Sequence, residues 1–242
     1  MIKKQGFIDI HSHLLPFVDD GSKSMEESLL MAKTAYDEGI TDIFFTPHYR
    51  LDMFLTPWQK EKEVFDDFTA KIKDAGIPIN CYLGQELHNA PEMLGQLKDG
   101  KAITLNGTKF VLIEFSWHCS GDFVSVIKEY ISAGYQPIVV HYERFPYSTV
   151  EGYKQLKKAG ALFQINAYSL FGWENEKNKE FAFKMLEDGC VDFVASDMHG
   201  GYKFKDRNFY IKDAYELVKE KFGKKVADNL FINNALKILG NN

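Results

Sequence analysis

Gly6-Phe7-Ile8-Asp9-Ile10-His11-Ser12-His13 joins a short apolar run to a pair of imidazoles. Side chains at i and i+2 on an extended backbone share a face, so His11 and His13 leave the end of a strand side by side. Neutral imidazole is the commonest protein ligand for a divalent metal. Two histidines near a terminus can equally be surface residues, and recurrence of the pattern decides between the readings. Short apolar runs return at residues 40–45, 77–83, 110–115, 137–140, 161–165 and 191–195. They are rich in Ile, Val and Phe and continuous rather than alternating, as expected of parallel strands buried on both faces.

Helical punctuation separates the runs. Ser24-Met25-Glu26-Glu27 has the form of a capping box, and its helix ends at Glu38-Gly39. Thr56-Pro57 reads as N-cap and first position of a helix running to Ala75-Gly76. Further helices end at Ala133-Gly134, Ala159-Gly160 and Asp188-Gly189, and residues 206–240 read as two more helices covering the outside. Seven strand–helix units without linker, repeat or low-complexity segment give one domain over residues 1–242. Parallel strands joined by right-handed crossovers form an open sheet or a barrel. Neither G-x-G-x-x-G nor a Walker A loop is present, which lowers the expectation of a nucleotide-binding open sheet. An α/β barrel of about seven strands is the better reading.

Composition narrows the function classes. The chain has 242 residues, 45% hydrophobic and 26% charged, as in ordinary globular proteins. No stretch approaches the roughly 18 apolar residues of a membrane span, so no membrane insertion is expected. No apolar segment backs Met1 to Gln5 as a secretory signal would require, and the expected location is cytoplasmic. A formal charge of −5 argues against non-specific nucleic-acid binding. Cys81, Cys119 and Cys190 are odd in number and widely spaced, which excludes a disulfide framework and a zinc ribbon. Cys81 and Cys190 read as small core residues. The C-x5-R loop of cysteine-dependent tyrosine phosphatases is absent, since Ser125 lies six residues beyond Cys119.

Metal-capable residues follow almost every strand. His11 and His13 follow the first, His48 the second and Glu86 the third. Glu114 ends the fourth and His141 the fifth, Asp197 and His199 follow the seventh, and Asp20 lies in the first loop. Parallel barrels carry their active sites on the rim at the strands' C-terminal ends. Nine candidates exceed the four ligands of one tetrahedral zinc and suit a cluster bridged by a carboxylate such as Glu86. A set of imidazoles and carboxylates without thiolate suits Mn, Fe or Zn. Asp19 reads as a turn residue, and His88 and His118 as rim or surface groups. Tyr142 and Trp117 either flank the mouth or pack in the core.

The motifs D-I-H-S-H, V-D-D-G, T-P-H-Y-R, G-Q-E, L-I-E-F-S, V-H-Y-E-R and A-S-D-M-H, with an N-N-x-x-K-I-L-like ending at residues 233–239, together resemble the PHP (polymerase and histidinol phosphatase) superfamily. Within it the chain is similar, over essentially its whole length, to the bacterial manganese-dependent protein-tyrosine phosphatases of the CpsB/YwqE type. The resemblance implies a distorted (β/α)7 TIM-like barrel with the cluster at the C-terminal rim. It implies two or three divalent ions, Mn foremost with Fe or Zn as alternatives. One ion would be held by His11, His13, Glu86 and Asp197, a second by Glu86, Glu114 and His141, and a third by Asp20, His48 and His199. Arg144 matches the family's substrate-phosphate arginine. The position of its second arginine is Phe204 here, with Arg207 or Lys203 as the nearest candidates.

The resemblance further implies hydrolysis of phosphotyrosine by metal-activated hydroxide. Arg144 and Arg207 would bind the substrate phosphate, and a metal-bound water or an acid such as His48 or His199 would stabilise the leaving phenolate. The implied partner is a phosphotyrosine protein, the tail of a bacterial tyrosine kinase of capsule or exopolysaccharide synthesis. A small-molecule phosphomonoesterase, such as a histidinol-phosphate phosphatase, is the alternative. A metal-dead binding relative is disfavoured by the intact ligand positions.

Overall fold

The structure is a computed structural model and describes residues 6–116, 121–200 and 209–240. Among the described residues there are nine strands: β1 (Phe7–Asp9), β2 (Ile40–Phe45), β3 (His48–Tyr49), β4 (Asn80–Leu83), β5 (Glu86–His88), β6 (Phe110–Glu114), β7 (Gln136–Val140), β8 (Leu162–Asn166) and β9 (Phe193–Ala195). All pairings within the sheets are parallel. The second and third expected strands are each broken in two. Pro47, which has no N–H, interrupts the ladder between β2 and β3. Gly84 separates β4 from β5, and a Cβ there would stand 2.6 Å from Leu105 Cδ2.

The breaks divide the strands into a sheet of order β1-β2-β4 and another of order β3-β5-β6-β7-β8-β9. Thr46 N–H still donates to Ser12 O (2.8 Å), Gly84 N–H to Phe45 O and Glu86 N–H to Pro47 O (both 3.0 Å). The two sheets therefore read as one seven-position wall. Its ends meet just past β1 and β9, in a parallel bridge between Ser12 and Met198. His13 N–H donates to Met198 O at 2.8 Å and Asp197 N–H to His11 O at 2.9 Å. Asp9 joins the same seam, accepting from Ser196 N–H at 3.0 Å and from the Ser196 hydroxyl.

Strands in such a wall must be apolar on both faces, and two cores result. Ile8, Ile10, Phe44, Phe110, Leu112, Ile138, Val140, Phe193 and Ala195 pack together inside. Ile43, Phe45, Val111, Ile113, Val139, Phe163, Ile165 and Val194 pack outward among the helices. Along the inner face, polarity changes towards the C-terminal end: Leu112 gives way to Glu114, Leu162 to Gln164 and Asn166, and Ala195 to Asp197.

The helices are α1 (Met25–Asp37), α2 (Trp58–Asp74), α3 (Met93–Lys98), α4 (Phe123–Ser132), α5 (Val150–Lys158), α6 (Glu176–Glu187), α7 (Ile211–Phe222), α8 (Lys224–Asp228) and α9 (Asn234–Leu236). Ser24 caps α1 by accepting from Glu27 N–H. α2 starts one residue later than Thr56-Pro57 suggested, with Pro57 as its uncapped N-cap, because the Thr56 hydroxyl donates instead to Val18 O. The five helix-ending glycines expected from sequence all have positive φ. α8 and α9 are continuous through one π-turn at Asn229–Asn233, and Ala235 and Ile238 close the bottom of the inner core.

Candidate metal centre

All nine residues singled out for the rim converge on one basin. His11, His13 and Glu86 are fully buried, and His141 and Asp197 nearly so. The Asp20 side chain is 54% exposed and that of His48 15%, so the basin opens on their side. Glu86 lies at its centre. Its Oε1 faces His141 Nε2 at 2.9 Å. Its Oε2 faces His48 Nδ1 at 2.8 Å and the Nε2 atoms of His11 and His13 at 3.3 Å each. Asp197 Oδ1 lies 3.6 Å from His11 Nε2 and 3.5 Å from His13 Nε2. Asp20 Oδ1 is 3.4 Å from Nε2 of both His48 and His199.

The donor groupings overlap the three expected sets but differ from them, and His13 lies with Asp20, His48 and His199 as well as with His11 and Asp197. His141 Nε2 is 4.0 Å from Glu114 Oε1 and groups more closely with His11 and Glu86, while His48 groups with Glu86 and Glu114 as well as with Asp20 and His199. Two of the residues sit on strained backbone: His141 has φ 35° and Asp197 φ 50°. Left-handed conformations at non-glycine residues cost about 1–3 kcal/mol each and concentrate at functional sites. Here they turn the side chains inward where the strands end.

The chemistry of the donors fits divalent cations. His11 Nδ1 lies 3.0 Å from Gln164 Oε1, His13 Nδ1 2.7 Å from Asp19 Oδ2, and His199 Nδ1 3.0 Å from Asp197 O. Each partner accepts only, so each Nδ1 carries a proton, and the Nε2 of each ring is turned into the basin. There, His11 Nε2 and His13 Nε2 face each other at 3.2 Å, and Glu86 Oε2 has no hydrogen bond despite three ring nitrogens around it. Lone pairs aimed at lone pairs and carboxylates repel unless a cation stands between them. The electrostatics of the basin favour positive charge in the same way. Burial alone would lower His48, yet Glu86 beside it raises its pKa to about 9. Burial would raise Glu86, but His48 and His11 hold it well below the usual carboxylate range.

Several participating residues were not singled out from sequence. Asp19 makes the expected turn, accepting from Gly21 N–H, and it also holds His13 and accepts from His48 N–H at 2.9 Å. Its V-D-D-G context offered that signal. His88 is a buried partner of Glu114 Oε2 at 2.9 Å rather than a surface group, because β5 continues the third strand inward. On β8, Gln164 and Asn166 alternate as polar residues in an otherwise apolar buried strand, the one strand end where no ligand was expected. Tyr142 is a core residue, packed edge-on to Phe163 and Phe145.

Arg144 lies beside the basin. It forms a fork on Glu174, 3.1 Å from Nε to Oε2 and 2.8 Å from Nη2 to Oε1, and its Nη1 reaches Asp197 Oδ2 at 3.1 Å. Arg207, Lys203, Phe204, Trp117, His118 and Cys119 lie outside the described residues. Cys81 is half-buried and Cys190 buried.

Comparison with known proteins gives the same picture of fold and family. A crystal structure of YwqE from Bacillus subtilis and CpsB from Streptococcus pneumoniae, described as unique metal-dependent tyrosine phosphatases, superposes with a TM-score of 0.90 at 31% identity, covering 97% of this chain and 94% of that one. The lactonase Lmo2620 from Listeria monocytogenes shares the fold alone, at TM-score 0.60 and 13% identity, with 97% and 94% covered. The tyrosine-protein phosphatase CpsB of Streptococcus agalactiae serotype III (strain NEM316) is 38% identical over 247 aligned positions, covering 97% of this chain and 98% of the relative. YwqE of Bacillus subtilis (strain 168) is 31% identical, with 90% and 86% covered. The family model for capsular polysaccharide synthesis, CpsB/CapC, matches residues 7–240, and with these relatives on either side of it the chain belongs to the CpsB/CapC family.

Proposed function

We propose that this protein is a metal-dependent protein-tyrosine phosphatase whose nine rim residues hold two or three divalent ions. The observation that carries the reading is the convergence of the His11 and His13 Nε2 atoms on Glu86 and Asp197, a donor set that suits a divalent cation. The relatives named tyrosine-protein phosphatases support the reaction type. The whole of residues 1–242 is read as one PHP-type domain. Manganese is the proposed ion, with iron and zinc as alternatives, and nitrogen and oxygen donors without thiolate suit all three.

His11, His13, Glu86 and Asp197 would hold one ion, Glu86, Glu114 and His141 a second, and Asp20, His48 and His199 a third. Bound divalent cations supply Lewis acidity, neutralising phosphoryl oxygens and lowering the pKa of water. The chain's own groups do the rest. Arg144 presents a planar fork that now holds a carboxylate, and a phosphate can take that place with the same bidentate geometry. Arg207 is the proposed second phosphate contact. His48 and His199 line the open side, where a departing phenolate needs a proton. Asp19 and His88 hold His13 and Glu114 in place. The substrate is a phosphotyrosine protein, proposed as the tail of a bacterial tyrosine kinase of capsule synthesis, met in the cytoplasm. Among the described residues no helix is long and apolar enough to cross a membrane.

The test is metal content after chelator-free purification, followed by hydrolysis of a phosphotyrosyl peptide and of histidinol phosphate across Mn, Fe and Zn, with His141→Ala as control. Bound metal and a preference for the peptide are expected. Absence of metal and of metal-restored activity, or a large preference for histidinol phosphate, overturns the proposal.

A further inference from the structure

The sixth strand position, β8, places none of the nine candidate ligands on the rim, yet its last two inward side chains are fully buried and polar. Gln164 and Asn166 are both 0% exposed. Burying two primary amides is costly unless each donor and acceptor is matched, and here the matching runs in one direction. Asp197 Oδ2 is a carboxylate oxygen and only accepts. It receives Asn166 Nδ2 at 2.8 Å, the Tyr168 hydroxyl at 3.2 Å and Arg144 Nη1 at 3.1 Å. Asn166 must therefore turn its NH2 towards Asp197, and the same group donates to the Tyr168 oxygen at 2.7 Å. That leaves Asn166 Oδ1 as an acceptor for Gln164 Nε2 at 2.8 Å. Gln164 in turn presents Oε1 to His11 Nδ1 at 3.0 Å, which must carry the proton.

The chain of bonds fixes two things at once. It selects the His11 tautomer whose Nε2 lone pair enters the basin, and it occupies Oδ2 of Asp197 so that Oδ1 faces the imidazoles. We propose that Gln164 and Asn166 are positioning residues that preset His11 and Asp197 for metal before any ion arrives. This inference rests on the proposed metal-binding reading and extends it to the strand that supplies no ligand. Residues that orient a metal's ligands typically contribute ten- to a hundredfold in affinity.

Long-range 1H–15N correlation spectra of the metal-free protein, recorded at alkaline pH where the rings are neutral, test the tautomer without metal or substrate. His11 protonated at Nδ1 is expected, and protonation at Nε2 overturns the inference. Gln164→Met keeps the volume and removes both amide functions. Chelator competition with Mn(II) should then show roughly ten- to a hundredfold weaker binding and mixed His11 tautomers. Gln164→Glu retains an acceptor for His11 and, when protonated, a donor to Asn166. It should restore binding to within about threefold of wild type, a rescue that loss of packing alone would not produce. Unchanged tautomer and affinity in Gln164→Met overturns the inference. If the wild-type protein binds no divalent ion, the proposed function fails while the wild-type spectra still decide the relay.

Discussion

Replacing Glu61 by Gln should make the protein more stable, and increasingly so as pH rises. Glu61 sits on α2 with its carboxyl fully buried. Oε2 accepts from Gln85 Nε2 at 2.8 Å, and Oε1 has no hydrogen-bond partner. Burial pushes its pKa from 4.5 to about 8, the Gln85 bond working against the shift and the Asp19 charge with it. The folded chain thus keeps this proton after the unfolded chain has released it. Wherever the folded state binds more protons, stability falls with pH. The decline begins near 4.5, where unfolded Glu ionises, and levels off near 8, where the folded group ionises too. At 1.36 kcal/mol per pH unit, that interval corresponds to about 5 kcal/mol. Glu61→Gln keeps the shape and the acceptor for Gln85 without the charge. Urea titrations of both proteins, after chelator treatment so that the metal basin titrates identically in each, give the difference in unfolding free energy. It should rise by several kcal/mol between pH 4.5 and 8 and be flat beyond. A difference that stays level from pH 4 to 9, or that falls, refutes the argument.

Three further outcomes follow from the geometry. Ser196→Ala removes a donor from the buried Asp9 and the acceptor of Met198 N–H; unfolding should become easier by about 1–3 kcal/mol, and an unchanged melting temperature would contradict the role given to the seam. Arg144→Lys keeps the charge but loses the fork, so kcat/KM on a phosphotyrosyl peptide should fall roughly tenfold to a hundredfold, chiefly through KM; a change within twofold would remove Arg144 from phosphate binding. Glu86→Gln withdraws the carboxylate shared by most of the basin, and metal retained after desalting should drop at least a hundredfold, roughly beyond what loss of an orienting partner costs. Retention at wild-type levels would show that Glu86 does not bridge.

Much of this architecture is legible in the sequence because parallel strands buried on both faces leave continuous apolar runs. All seven expected runs contain observed strands, and the glycines after α1, α2, α4, α5 and α6 mark helix ends by their need for positive φ. Less legible is what depends on tertiary partners. The restart of β3 at His48 and β5 at Glu86 reflects Pro47 and the close approach of Leu105 to Gly84. The N-cap of α2 shifted because Thr56 found an acceptor in Val18. At the site, imidazoles and carboxylates behind apolar runs announce themselves by chemical type. Gln164 and Asn166 do not, because an amide gains its meaning from the group it holds, here His11 and Asp197, and both lie far away in the chain.

The bridge between Ser12 and Met198 also sets a schedule. Synthesis proceeds from the N-terminus, so His11 and His13 emerge from the ribosome well before Asp197 and His199. A chain that has not reached Asp197 lacks part of the basin, and the wall has no closing partner until β9 is made. Contacts of such long sequence separation are slow to form in folding, so the step that closes the wall is also the step that completes the basin. A nascent chain stalled before residue 197 should keep the grouping of Glu86 with His11 and His141 but lack that of His11 and His13 with Asp197.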